Sequence, residues 1–200
     1  MNQLEKYKHE MMKLITLKQR SKEWLEWRST RVCASDAPII MGQSPFKTVD
    51  QLLIEKSKCF ESTPNQYMLR GIKLEPIALE AFERETGLSM YPCVGEHENG
   101  WMAASFDGMT IEQDAIVEIK APGKKDHFAA MNGLVPEKYK AQLNHQLYVS
   151  GLQEMFYYSF DGSNGVIIEV KRDNDFIEIM LEKELEFWNH LKILNEQKVV

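Results

Sequence analysis

A chain of 200 residues is long enough to bury a sizeable core and is most simply one domain, spanning residues 1–200. With 44% apolar and 27% charged residues and neither repeat nor low-complexity tract, it reads as an ordinary globular protein. No apolar run approaches membrane-spanning length, so no membrane contact is expected. The net charge of −6 sits awkwardly with nucleic-acid binding, whose affinity comes from Lys and Arg contacts to phosphate, unless the cations are gathered on one inner surface.

The opening MNQLEKYKHEMMKLITLKQR mixes Glu and Lys through its apolar positions, unlike a signal peptide, so the chain is expected to stay in the cytoplasm. Its residues 3–16 carry Leu4, Tyr7, Met11, Met12, Leu14 and Ile15 at near-helical spacing. Ser21 is placed to cap a second helix, Lys22 to Arg28, with Trp24, Leu25 and Trp27 as core or subunit contacts. Arg31 and the β-like pair Val32–Cys33 follow. Ala34-Ser35-Asp36 then opens a helix through Ile39 and Ile40 to a stop at Gly42. A helix N-terminus, the Ser35 hydroxyl and the Arg31 fork together suit an anion. Residue chemistry alone favours the blander alternative, Ser35 as a plain N-cap and Arg31 as a surface charge. Lys47, in the loop from Gly42, is a weaker candidate for the same anion.

Thr48 caps a predicted helix, Val49 to Lys58, with Leu52 and Leu53 inward, and Glu61 to Asn65 is loop by composition. A longer helical pattern runs from about Gln66 to Thr86 and ends at Gly87, with Pro76 expected to kink or restart it directly after Glu75. Leu88 to Val94 reads as a strand. The loop Gly95 to Gly100, where His97 is expected to be exposed polar filler, turns it into a second strand, Trp101 to Phe106. Cys33, Cys59 and Cys93 lie far apart with no CxxC pair, which argues against a disulfide framework or a zinc site.

The stretch SFDGMTIEQDAIVEIK, Ser105 to Lys120, concentrates the chemistry. Asp107 ends the apolar segment with Gly108 as a turn former, and the β-branched strand Ala115 to Lys120 presents Glu118 and Lys120 on one face. Two carboxylates and an ammonium meeting at a strand end suit a hard divalent cation and phosphodiester hydrolysis. Without further context, a hairpin carrying ordinary exposed charges is the favoured account of them. Lys124, Lys125 and His127 then form a small basic patch. Pro136 to about Val149 is a helix whose Tyr139, Gln142 and Gln146 line one face. Met155 to Phe160 and Val166 to Val170 form a hairpin. Asp173 caps a final helix with Phe176, Ile179, Leu181, Leu185, Phe187, Trp188, Leu191 and Leu194 largely inward.

Four blocks in order carry a resemblance: Trp27-Arg28-Ser29-Thr30-Arg31-Val32-Cys33-Ala34-Ser35-Asp36, Arg70-Gly71-Ile72-Lys73-Leu74-Glu75, Asp107 with Glu118-Ile119-Lys120, and Tyr139 to Tyr148. They resemble the lambda exonuclease or YqaJ-type viral recombinase family of PD-(D/E)xK nucleases, over roughly Ser21 to Gly151. The resemblance implies an α/β fold with a restriction-endonuclease-like core, a central mixed sheet flanked by helices. It implies a 5′→3′ exonuclease that uses Mg²⁺ (or Mn²⁺), two ions per site, to digest one strand of linear duplex DNA from a 5′-phosphorylated end. Asp107, Glu118 and the Ile119 carbonyl would hold the metals, with Glu75 assisting directly or through water. Lys120 would act on the nucleophile and Gln142 beside it, while Arg31, Ser35 and, more weakly, Lys47 would hold the 5′-phosphate. Duplex DNA ends, a single-strand annealing protein and further copies in a ring-shaped trimer are the implied partners. The alternatives are another nuclease of the superfamily, an endonuclease or repair enzyme, or a non-catalytic DNA-end-binding module.

Overall fold

The computed structural model describes residues 12–59 and 65–197. Among the described residues, seven strands form one mixed sheet. Its path runs β1 (Lys13–Leu14), β3 (Tyr91–Glu96), β4 (Met102–Met109), β5 (Ile116–Lys120), β6 (Glu154–Phe160) and β7 (Gly165–Lys171), with β2 (Val32–Cys33) lying parallel to the start of β4. β5 and β6 are parallel, and the crossover that parallel strands require is made by α5 (Lys124–Met131), a 3₁₀ turn at Glu137–Tyr139 and α6 (Lys140–Ser150). The other neighbours on the path are antiparallel. The architecture is the expected α/β one.

Two helices sandwich the sheet. α4 (Gln66–Thr86) sets Ala78, Ala81 and Phe82 against Val117, Ile119, Tyr158 and Phe160. On the opposite face Leu143 and Leu147 of α6 pack with Phe106, Ile116 and Tyr157. Side chains alternate across a strand, so Val117 and Ile119 look toward α4 while Glu118 and Lys120 look toward α6. α1 (Lys22–Ser29), the one-turn α2 (Ala37–Ile40), α3 (Val49–Ser57) and the long α7 (Asn174–Glu196) complete the shell. Ser21 and Asp173 cap their helices through bonds to the Trp24 and Phe176 amides, and Thr48 forms a capping box with Gln51. Gly87 closes α4 at φ 74°.

Several local expectations are corrected. The helix expected over residues 3–16 lies outside the described residues up to Met11, and Lys13–Leu14 is instead a strand pairing with Gly95 and Glu96, where it covers the open edge of β3. Residues 61–64 of the expected loop also lie outside the described residues. Pro76 does not divide α4, which continues through it to Thr86. The helix after Ser35 begins only at Ala37, with Pro38 in its first turn, and ends within one turn. His97 is buried rather than exposed, stacked on Tyr148 with ring centroids 4.8 Å apart. In α7 the buried stripe is Ile177, Met180, Glu184, Phe187 and Leu191, whereas Ile179 and Leu185 are exposed. A glutamate in the middle of that stripe hid its phase.

Candidate active site

The expected turn at Gly108 is instead a β-bulge inside β4. Between the pairs Tyr91↔Met109 and Cys93↔Phe106, two steps along β3 match three along β4, so Asp107–Gly108 carries the extra residue. Phe106 and Met109 consequently both point to the α6 face. Gly108 is pressed against the α4 side, where an added Cβ would lie 2.8 Å from Val117 Cγ1 and 3.0 Å from both Leu79 Cδ1 and Met90 Cβ. Close packing, not a turn conformation, calls for glycine here.

Pairing between β4 and β5 stops at Gly108↔Val117 and Met109↔Ile116, while the first residues of β4 pair with β2. The edge of β4 between these ladders is therefore forked open. Into that fork the bulge aims Asp107, whose Oδ2 accepts a 2.8 Å hydrogen bond from the Ile119 amide where the next ladder bond would have formed. In an extended strand a residue's N–H and C=O share one edge, so the Ile119 carbonyl also faces the fork.

One strand over, Glu118 is 3% exposed and fully engaged. Its Oε1 accepts from Lys120 Nζ at 2.5 Å and from Gln142 Nε2 at 2.6 Å, and its Oε2 accepts from Gln146 Nε2 at 2.6 Å. Lys120 also donates to Gln142 Oε1 at 3.0 Å, so Gln142 sits between an acceptor and a donor and its amide orientation is determined. The Lys120 ammonium lies 5.2 Å from the Tyr139 ring centroid. Burial works against its charge, but Glu118 and Asp107 more than offset this and hold its pKa above the usual lysine range. Gln146 also donates to the Ser105 carbonyl at 3.3 Å, and its own oxygen has no hydrogen-bond partner among the described residues.

Glu75 arrives from the α4 side and closes an ion pair with Arg20 at 2.9 Å. It still acts on Asp107, whose carboxyl is pushed well above the ordinary range first by burial and then by the charges of Glu118 and Glu75. Among the described residues no three His, Cys, Asp or Glu groups form a ready-made metal cage. The reason is visible in the bonding: Glu75 turns to Arg20, Glu118 to Lys120 and its two glutamines, Asp107 to the Ile119 amide. The donor set nonetheless fits a hard divalent cation. It consists of carboxylate oxygens crowded enough to raise the proton affinity of Asp107, the imbalance such an ion relieves.

The anion-binding candidates separate. Ser35 is exposed and its hydroxyl accepts from Arg28 Nη2 at 2.9 Å. Arg28 also lies 4.5 Å from the Trp24 ring centroid. Arg31 turns away instead: Nε and Nη2 donate to Glu96 Oε1 at 3.2 and 3.1 Å, and Nη1 donates to the Trp27 carbonyl at 3.0 Å. Lys47 is ion-paired with Glu55 on α3. The basic patch expected after Lys120 loses a member, since His127 is buried with Nδ1 2.9 Å from the Ser159 hydroxyl. Sequence reasoning passed over Arg28 because it stands three residues from Arg31 in the same Trp- and Arg-rich segment. Its place seven residues before Ser35, at the end of α1, was the available signal.

A family model described as a YqaJ-like viral recombinase domain matches residues 23–153. The chain is 30% identical over 183 residues to the uncharacterized protein YqaJ of Bacillus subtilis (strain 168), covering 88% of this chain and 57% of that protein. It is 25% identical over 160 residues to the uncharacterized protein R354 of Acanthamoeba polyphaga mimivirus, covering 71% and 29%. The chain thus spans little more than half the length of one curated relative and less than a third of the other. Among solved structures, the alkaline exonuclease LHK-Exo of Laribacter hongkongensis superposes with TM-score 0.75 at 23% identity, over 88% of this chain and 95% of that one. A phage-related exonuclease of Haemophilus somnus 129PT superposes with TM-score 0.55 at 15% identity, over 84% and 95%. At these identities the likeness speaks for the fold, a restriction-endonuclease-like α/β core.

Proposed function

The chain belongs to the YqaJ-like viral recombinase domain family, and from that premise we propose that it is a metal-dependent deoxyribonuclease. In this reading it digests one strand of linear duplex DNA 5′→3′ from a 5′-phosphorylated end and leaves 3′ single strands for recombination by annealing. The observation that carries the reading is the fork itself: Asp107 on one lip, and buried Glu118 with Lys120 and Gln142 on the other.

Asp107, Glu118, the Ile119 carbonyl and Glu75 would hold two ions, Mg²⁺ or Mn²⁺. When bound, such ions lower the pKa of a water and offset charge on phosphate oxygens. Lys120, whose ammonium already donates to Glu118 and Gln142, has a further hydrogen to offer the attacking water or the scissile phosphate. Gln142 keeps that ammonium in place. We assign the grip on the terminal phosphate to Ser35 and Arg28, a hydroxyl and a fork already in contact, rather than to Arg31, which Glu96 holds. Further copies of the chain in a trimeric ring, and a single-strand annealing protein, are the partners this function calls for. A ring would also reconcile the net charge of −6 with DNA binding, by gathering cations on an inner surface.

The test is nucleotide release with Mg²⁺ from labelled linear duplexes bearing 5′-phosphate or 5′-hydroxyl ends, beside closed circular duplex. Wild type should degrade the phosphorylated linear substrate and spare the circle. Lys120→Ala should bind duplex normally and release nucleotides about 10²–10³-fold more slowly, the loss typical of removing one preorganised charge stabiliser. Cutting of the circle would make the protein an endonuclease, and no release from any substrate would leave a DNA-end-binding module.

A further inference from the structure

We propose that His145 and Glu184 are positioning residues for this site: a buried imidazolium–carboxylate pair, pinned to the Ala103 carbonyl, sets the height and rotation of α6 and so delivers Gln142 and Gln146 to Glu118. The kinetic consequence rests on the nuclease reading above; the structural content does not.

Both side chains are fully buried. His145 Nδ1 lies 2.9 and 3.1 Å from the two Glu184 carboxylate oxygens, and Nε2 lies 3.0 Å from the Ala103 carbonyl. A carbonyl can only accept, so Nε2 carries a hydrogen. On the other side an ionised Glu184 can only accept, so the state assigned to the pair is an imidazolium whose Nδ1–H is shared by the two carboxylate oxygens. The charged groups around the ring are Glu184 from α7 and Asp36 from the cap of α2. Asp36 is in turn neutralised by Lys56 of α3 at 2.7 Å, and β4 contributes only its carbonyl. Two acids thus face two cations in the dry interior.

Such a pair adds little stability over apolar side chains of similar volume, but it adds direction. His145 bonds the carbonyl of Ala103 while the next residue, Gln146, bonds that of Ser105, two residues further along the same strand. α6 is therefore registered against β4 at two successive points. Gln146 and Gln142 reach Glu118 only while that register holds. Glu184 fixes the ring laterally, which makes the C-terminal helix part of the site's scaffold although it touches none of the reacting groups.

The experiment compares wild type, Glu184→Gln and Glu184→Leu by ¹⁵N resonances of the His145 ring, by the side-chain amide resonances of Gln142 and Gln146, and by kcat and KM against pH. In wild type both ring nitrogens should be protonated at neutral pH. Glu184→Gln removes the counter-charge but can still bond the ring, so the imidazole should become neutral above about 6.5 and its kcat profile should gain an ascending acid limb. Glu184→Leu should shift both glutamine resonances and lower kcat about 10²-fold, the scale of a 1 Å misplacement, with KM for DNA ends unchanged. A wild-type ring neutral at pH 7, or glutamine resonances unmoved in folded Glu184→Leu, overturns the proposal. If Glu184→Leu does not fold, Glu184→Gln decides, and a pH profile identical to wild type refutes it. If wild type releases no nucleotide, the nuclease reading fails while the resonances still decide the positioning claim.

Discussion

Ser35 meets Arg28, and Arg31 meets Glu96; that exchange of neighbours has measurable consequences. Ser35→Ala and Arg28→Ala should each erase most of the preference for 5′-phosphate over 5′-hydroxyl ends. The expected loss is about 1.5–3 kcal/mol in binding the phosphorylated end, as for a charge-assisted hydrogen bond, measured by titration of end-labelled duplex. Arg31→Ala should leave that preference in place and lower the unfolding midpoint instead, since its guanidinium ties Glu96 to the Trp27 carbonyl. Gly108→Ala should destabilise by about 1–3 kcal/mol in urea titration, the usual cost of overpacking, because its Cβ would press on Val117, Leu79 and Met90. At this scale the meeting of Glu118 with Lys120 was legible, because strand alternation puts residues two apart on one face. The bulge that aims Asp107 was not, since a bulge belongs to the pairing of two strands rather than to either one.

Among the elements, α6 and α7 meet through His145 and Glu184, and both groups titrate higher folded than unfolded. For Glu184 the cause is burial; for His145 burial opposes the charge, but Glu184, the Ala103 carbonyl and Asp36 outweigh it. A raised histidine pKa contributes stability that is fully present below the unfolded value of about 6.5 and is lost as pH rises through the folded pKa. The raised glutamic acid has the same sign, with its window starting near its unfolded value of about 4.3. The urea midpoint should therefore decline as pH climbs above neutrality, and the double variant His145→Leu/Glu184→Leu should lose that decline. Glu184→Ala alone should cost about 3–5 kcal/mol, whereas the double variant should be nearly neutral. The caps at Ser21, Thr48 and Asp173 and the stop at Gly87 were readable, because each is a local bond or a local φ. The phase of α7 was not: Glu184 holds a core position only because His145 waits there, and nothing within twenty residues of sequence announces it.

For the whole molecule, the proposed function asks the excess of acidic over basic residues to coexist with a phosphodiester substrate, and the closed assembly proposed above would permit it. Light scattering on the eluted protein should therefore return three times the chain mass of 23.2 kDa, and a monomer would remove the ring from the proposal. Among the described residues no helix is long and apolar enough to cross a membrane. The sequence by itself determined the α/β class, most helix boundaries and the shared face of Glu118 and Lys120, because periodicity, caps and spacing are written in neighbouring residues. Only the tertiary structure decided which arginine stands beside Ser35, why Gly108 must lack a side chain, and how α7 reaches the site through a buried ion pair. These are contacts between residues far apart in the chain, chosen by how the sheet forks and how the helices lie upon it.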